Sequence, residues 1–231
     1  MTLARNVRCA VRSGLAAAVL GLLAACQPQS GAPVSPAPPA LLPRGAEGID
    51  LSHHNGRVDW ARLGTEPFQF VYLKATEGTD HTDTDFQTNW QAATRLGWRV
   101  GAYHFYLLCR NGAPQAENFI RQVEVRGGTL PPAVDLEHAH NCQARGGREA
   151  ALAELRVFLA ALEAEYGQVP VIYTTPAFHA EWLAGEGFEA HPLWLRSLDS
   201  PPALPYAIWQ YSMKGKAAGV DGPVDLNRAR E

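Results

Sequence analysis

Residues 193–227 read LWLRSLDSPPALPYAIWQYSMKGKAAGVDGPVDLN. Three pieces of this stretch have the apolar and aromatic density of strands: Leu193-Trp194-Leu195, Tyr206 to Tyr211, and Val224-Asp225-Leu226. The Pro- and Gly-rich connections between them leave no room for full helices. Everything upstream alternates strand with helix, so the fold turns on this change of pattern.

The upstream strand candidates are Gly48 to Leu51, Phe68 to Lys74, Arg99 to Tyr106, Ala133 to Glu137 and Val169 to Tyr173. A brief helix over Val58 to Leu63 follows the first. Asp85 to Leu96 places Phe86, Trp90, Ala93 and Leu96 at helical spacing, with Asp83 or Thr84 as N-cap and Gly97 as stop. A third helix starts near Pro114, carries Phe119, Ile120 and Val123 on one face, and ends by Gly127. Arg148 to Tyr166 is the strongest helix, with Leu152, Leu155, Phe158, Leu159, Leu162 and Tyr166 in one stripe ahead of Gly167. A short helix around Phe178 to Leu183 completes five strand–helix units. Five such units and three further strands predict an α/β chain folded as a (β/α)5(β)3 barrel, a TIM-barrel variant with a reduced closing quarter. A doubly wound open sheet is the competing architecture.

The chain has 231 residues, 46% of them apolar and 19% charged, which excludes a disordered polymer and allows one sizeable core. Its first 25 residues place Arg5, Arg8 and Arg12 ahead of the apolar run Gly14 to Leu23, which is too short to span a bilayer and reads as an export signal. Leu23-Ala24-Ala25-Cys26 resembles the lipobox of bacterial lipoproteins, which makes Cys26 the expected acylated residue. Residues 26–45 are then a lipidated Cys and a Pro/Ala-rich tether, and residues 46–231 the folded domain. In a double-membraned cell, Gln27 rather than Asp after the Cys points to the periplasmic face of the outer membrane. Loss of the three signal arginines takes the formal charge from −3 to −6, which argues against nucleic acid as a partner. Cys109 and Cys142 remain in the exported part, either as a disulfide or as two buried thiols. Nothing suggests a partner helix, so a monomer is expected.

In parallel α/β folds the ligand site forms at the carboxyl ends of the strands. The polar residues ending these strands are Asp50, Lys74 with Glu77, Tyr103 with His104, Asp135 with Glu137, Tyr173, Trp209 with Tyr211, and Asp225. Asp135 and Glu137 are two apart on one strand, so their side chains point the same way from α-carbons roughly 6.5 to 7 Å apart. Like charges at such proximity keep one carboxyl protonated beside an ionised partner, the pairing that glycoside cleavage requires. The aromatic side chains Tyr103, Tyr173, Trp194, Trp209 and Tyr211 suit the apolar faces of sugar rings. A metal site would have to draw on His53, His54, His138 and His140 with Asp50 and Asp135. His138 and His140 fall beyond the carboxylates in a loop, so neither a metal nor a cofactor is expected.

Seven fragments in order and in register carry a resemblance: GIDLSHHNG at 48–56, LKATEG at 73–78, DTDF at 83–86, GAYHFY at 101–106, AVDLE at 133–137, IWQYS at 208–212 and VDLN at 224–227. Together they resemble the lysozymes of glycoside hydrolase family 25, the N-acetylmuramidases. The resemblance implies hydrolysis of the β-1,4 bond between N-acetylmuramic acid and N-acetylglucosamine in peptidoglycan. It gives Glu137 the part of general acid/base and places Asp135, Asp50 and Asp225 around the scissile sugar. Tyr103, Tyr173, Trp209 and Glu77 would contact substrate. The 2-acetamido group of muramic acid can attack its own anomeric carbon, so net retention is expected, with Asp135 orienting that amide. The chain departs from the family pattern after Leu193-Trp194, where LWIA is usual and Leu195-Arg196 stands here. A non-catalytic peptidoglycan-binding barrel is the alternative function.

Overall fold

The computed structural model describes residues 41–124 and 129–231. The expected signal, Cys26, most of the tether and the helix stop Gly127 lie outside the described residues.

The strands are β1 (Glu47–Leu51), β2 (Phe70–Glu77), β3 (His81–Thr82), β4 (Arg99–Phe105), β5 (Ala133–Leu136), β6 (Val171–Thr174), β7 (Leu193–Arg196), β8 (Ile208–Gly215) and β9 (Val224–Ala229). Parallel pairing runs from β1 through β2, β4, β5, β6 and β7 to β8. β9 returns antiparallel to β8 and closes antiparallel onto β1, so eight strands form a barrel. β3, unforeseen in the sequence, is a two-residue antiparallel addition to the end of β2. The open sheet is excluded by this closure.

Helices α1 (Trp60–Leu63), α2 (Phe86–Arg95), α3 (Gly112–Gln122), α4 (Gly147–Tyr166) and α5 (Pro176–Phe178, continued as a π turn over His179–Leu183) follow the first five barrel strands in turn. None separates β7, β8 and β9. α2 takes Asp85 as its N-cap residue, not Asp83 or Thr84. Asp83 is buried and instead accepts from the His53 backbone amide at 2.9 Å, tying the turn after β1 to the entry of α2. Gly97 does terminate α2 in the left-handed conformation, at φ 74°. α3 opens two residues before Pro114, where Gly112 crosses α4 so closely that a Cβ would lie 1.9 Å from the Glu154 carbonyl oxygen.

Alternate residues of each strand enter two different cores, as the two-residue period requires. Ile49, Leu51, Val71, Leu73, Val100, Ala102, Val134, Leu136 and Ile172 point outward and pack under the helices against Leu152, Leu155, Phe158, Leu159 and Leu162 of α4. Phe70, Tyr72, Ala133, Val171, Tyr173, Trp194, Ile208 and Ala229 fill the barrel interior. Leu42 is buried in that same interior cluster, with Leu41 packed against it. Two residues assigned to the tether therefore belong to the barrel's packing.

His104, grouped with Tyr103 from sequence, points the other way. It is fully buried under the helices, with Thr76 Oγ1 2.7 Å from its Nδ1 and Gln115 Oε1 3.3 Å from its Nε2. Burial holds its imidazole down at about 3, so it is a neutral core group.

Candidate active site

A cavity of about 370 Å³ opens at the carboxyl ends of the parallel strands. Its wall includes Asp50, Glu77, Tyr103, Asp135, Glu137, Tyr173 and Asp225, seven residues that sequence reasoning had assembled. Asp225 arrives by a different route from the others. It is the second residue of β9, and because β9 is antiparallel, its beginning rather than its end lies at the mouth.

Asp135 sits in β5 and Glu137 is the residue just past it, both buried and on the interior side. The turn after Glu137 is held by Asn141, whose side-chain amide donates to the Glu137 carbonyl at 3.1 Å and to the Tyr106 carbonyl at 2.8 Å. Its side-chain oxygen accepts from the Leu108 amide at 2.9 Å. A disulfide between Cys109 and Cys142 stitches the same two loops together, with 5.7 Å between α-carbons. The loop that carries Glu137 out of the strand is thus fixed on both sides of the chain reversal.

Asp135 Oδ1 is buried and has no hydrogen-bond partner among the described residues. Burial, reinforced by the charges of Glu137 and Asp50, pushes the Asp135 carboxyl well above the usual carboxylate range, against the pull of Arg196 and Lys74. Glu137 Oε2 lies 2.6 Å from Arg196 Nη2, a close ionic contact rather than an aligned hydrogen bond.

Below this pair, Asp50 and Asp225 face each other as β1–β9 partners. Asp50 Oδ2 accepts from Asn227 Nδ2 at 2.8 Å and from Gln210 Nε2 at 3.0 Å. Burial and the neighbouring charge of Asp225 nevertheless push Asp50 well upward, and burial pushes Asp225 up to about 6. Lys74 Nζ pairs with Glu77 Oε2 at 2.7 Å on the β2 side of the mouth. Trp194 floors the cavity, its ring centroid 4.9 Å from those of both Tyr72 and Tyr173. Four clustered acids, two of them in D-x-E register above an aromatic floor, can deliver and withdraw protons at a sugar acetal.

Residues 49–220 match the sequence profile described as glycosyl hydrolases family 25. The chain belongs to that family. It is a glycoside hydrolase. It is 32% identical over 190 residues to the uncharacterized protein YegX of Escherichia coli K12, covering 78% of this chain and 68% of that one. It is 32% identical over 206 residues to Lysozyme M1 of Streptomyces globisporus, covering 80% and 67%. The structure of a family 25 glycosyl hydrolase from Bacillus anthracis superposes with a TM-score of 0.75 at 31% identity, over 81% of this chain and 90% of that one.

Within this family 25 barrel, Trp209 does not line the cavity. It sits on the outer side of β8, where its indole donates to the Ser197 carbonyl at 2.7 Å and its ring lies 5.6 Å from Tyr211. The Tyr211 hydroxyl likewise leaves the mouth, donating to Glu47 Oε2 at 3.0 Å. The inward residue of that strand is Gln210, which accepts from the Tyr173 hydroxyl at 2.8 Å while donating to Asp50. Gln210, Asn227 and Arg196 were not picked out as site residues from sequence. The parity of β8 could have found the first, because Gln210 shares the phase of buried Ile208 and not that of Trp209. Of the histidines considered for a metal, His54 and His140 line the cavity, while His138 is exposed and lies 3.0 Å from Glu181. Among the described residues no three His, Cys, Asp or Glu side chains are disposed to hold a metal ion.

Proposed function

We propose that this glycoside hydrolase is a lysozyme that cleaves the β-1,4 bond between N-acetylmuramic acid and N-acetylglucosamine in peptidoglycan. The observation that carries the reading is the D-x-E pair, with Asp135 and Glu137 side by side over an aromatic floor at the mouth of a family 25 barrel. Lysozyme M1 and the N,O-diacetylmuramidase of a Chalaropsis species, 29% identical over 201 residues, are relatives whose names support the substrate.

Glu137 protonates the leaving oxygen and later deprotonates water. Asp135 takes the substrate's 2-acetamido N–H on its unpartnered Oδ1, aligning the acetamido oxygen for attack on the anomeric carbon. Retention of configuration follows from two successive displacements at that carbon. Asp50 and Asp225 set the field beneath the sugar, and Tyr103, Tyr173 and Glu77 contact it. The protein works as an exported monomer held by lipid on Cys26 at the periplasmic face of the outer membrane, with no nucleic-acid partner. Its reach into the wall is then set by the Pro/Ala-rich tether.

The test is digestion of purified peptidoglycan by the protein from residue 39 onward, so that Leu41 and Leu42 are kept, with Glu137→Gln as control. Mass spectrometry of borohydride-reduced products should find reduced muramic acid ends that the control lacks. Reduced glucosamine ends would replace the muramidase reading with a glucosaminidase. Binding to the sacculus without cleavage from about pH 4 to 8 would favour a non-catalytic binding barrel.

A further inference from the structure

Arg196 occupies the last position of β7, its side chain directed into the cavity. The resemblance drawn from sequence implies a small residue here, and this chain has Arg196 instead. Its contact with Glu137 is the shortest ion pair at the cavity mouth, at 2.6 Å, between side chains only 18% and 10% exposed. An arginine has five donors, no acceptor and a permanent charge. Held against Oε2, it favours the carboxylate and opposes the protonated form that a general acid needs.

The other ionisable groups around the Arg196–Glu137 contact come from every side of the cavity. Asp135 on β5, Asp50 on β1, Asp225 on β9 and Glu77 on β2 are acids; Tyr103 and Tyr173 are neutral phenols; Lys74 is committed to Glu77; His54, His140 and Asp221 stand at the rim. Asp135 is the buried acid beside Glu137, and its Oδ1 has no hydrogen-bond partner among the described residues. The connection from β7 to β8 is an irregular segment over 197–207, with no helix between the two strands.

Resting on the lysozyme reading, we propose that Arg196 is a positioning residue that pairs with Glu137 while the groove is empty and is displaced when a glycan enters. The empty enzyme then stores its proton on Asp135, with Glu137 ionised. Entry of the sugar moves the guanidinium off Oε2, the proton passes from Asp135 Oδ to Glu137 Oε, and Asp135, now an anion, accepts the acetamido N–H. No proton is gained or lost in the exchange. The acid is armed only in the presence of substrate.

Two measurements test this. In protein labelled with ¹³C at side-chain carboxyls, the Glu137 signal, assigned by its loss in Glu137→Gln, should titrate about one pH unit higher in Arg196→Ala than in the unaltered protein, the shift expected for losing a cation at contact distance. Arg196→Lys keeps a charge and should fall nearer the unaltered protein. In parallel, the alkaline limb of kcat/KM on peptidoglycan, which reports loss of the proton held by the Asp135–Glu137 pair, should move up in Arg196→Ala, while that of kcat, which reports the occupied site, moves less. Unchanged Glu137 titration across the three folded proteins would overturn the pairing. A shifted titration with equal displacement of both kinetic limbs would overturn the displacement by glycan. A shifted titration in a protein that cleaves no peptidoglycan would leave the pairing standing and remove the lysozyme reading instead.

Discussion

Asn227 donates to Asp50 Oδ2 at 2.8 Å across the seam where the last barrel strand meets the first. The same Asn227 accepts from the Trp194 indole at 2.7 Å, so one fully buried amide joins β1, β7 and β9 beneath the site. Asn227→Leu keeps the approximate volume but strands the Trp194 N–H and removes a donor from a buried acid. The expected cost is about 2 to 3 kcal/mol, read from urea unfolding. A loss below about 0.5 kcal/mol would mean that the seam is held by packing alone.

Burial pushes the Asp225 carboxyl up from its ordinary 3.8 to about 6. Between those values the folded state holds a proton that the unfolded chain has released, so stability falls as pH rises through the window. Asp50 and Asp135, also raised chiefly by burial, add to the decline. Asp225→Asn should flatten the slope of unfolding free energy between about pH 4 and 7, recovering up to about 3 kcal/mol at the upper end. Denaturant titrations at a series of pH values measure it, and an unaltered slope would mean that Asp225 is not the group that holds the proton.

The strands and the D-x-E pair were legible because they rest on local signals. Aromatic and β-branched runs mark strands, and residues two apart on a strand must share a face. What sequence left unread was the phase of each strand relative to the barrel axis. Trp209 looked like a groove residue and faces outward, while its polar neighbour Gln210 faces inward, because β8 buries Ile208 and Gln210 in the same phase. His104 failed for the same reason beside Tyr103. Asp225 reached the mouth for a reason unavailable from its own segment, the reversal of β9. Arg196 showed only as a departure from the family pattern, since an arginine at a strand end is ordinarily a solvated residue. Only tertiary closure brings it onto Glu137.

Asp135→Asn tests the chemistry assigned to the unpartnered carboxyl oxygen. An amide cannot supply the anion that aligns the acetamido group, so kcat should drop by about 100- to 1,000-fold with KM little changed. The product anomer formed first, followed by ¹H NMR, should keep the configuration of the substrate. Inversion by the unaltered enzyme would eliminate acetamido participation and require a water activated by a carboxylate.

The Cys109–Cys142 bond closes a loop spanning 33 positions of sequence and lies against the turn that Asn141 holds behind Glu137. Replacing both cysteines by Ala should lower unfolding free energy by about 3 to 4 kcal/mol through the freed unfolded chain. The activity of the remaining folded enzyme separates two roles for the bond. Asn141 alone makes the hydrogen bonds to the Tyr106 and Glu137 carbonyls, so kcat below the melting transition should fall by no more than about threefold if those bonds position the acid. Asn141→Ala, which leaves the disulfide intact, should then lower kcat by more than the double cysteine variant while costing less stability. The reverse ranking of the two variants in kcat would transfer the positioning of Glu137 from the amide to the covalent bridge.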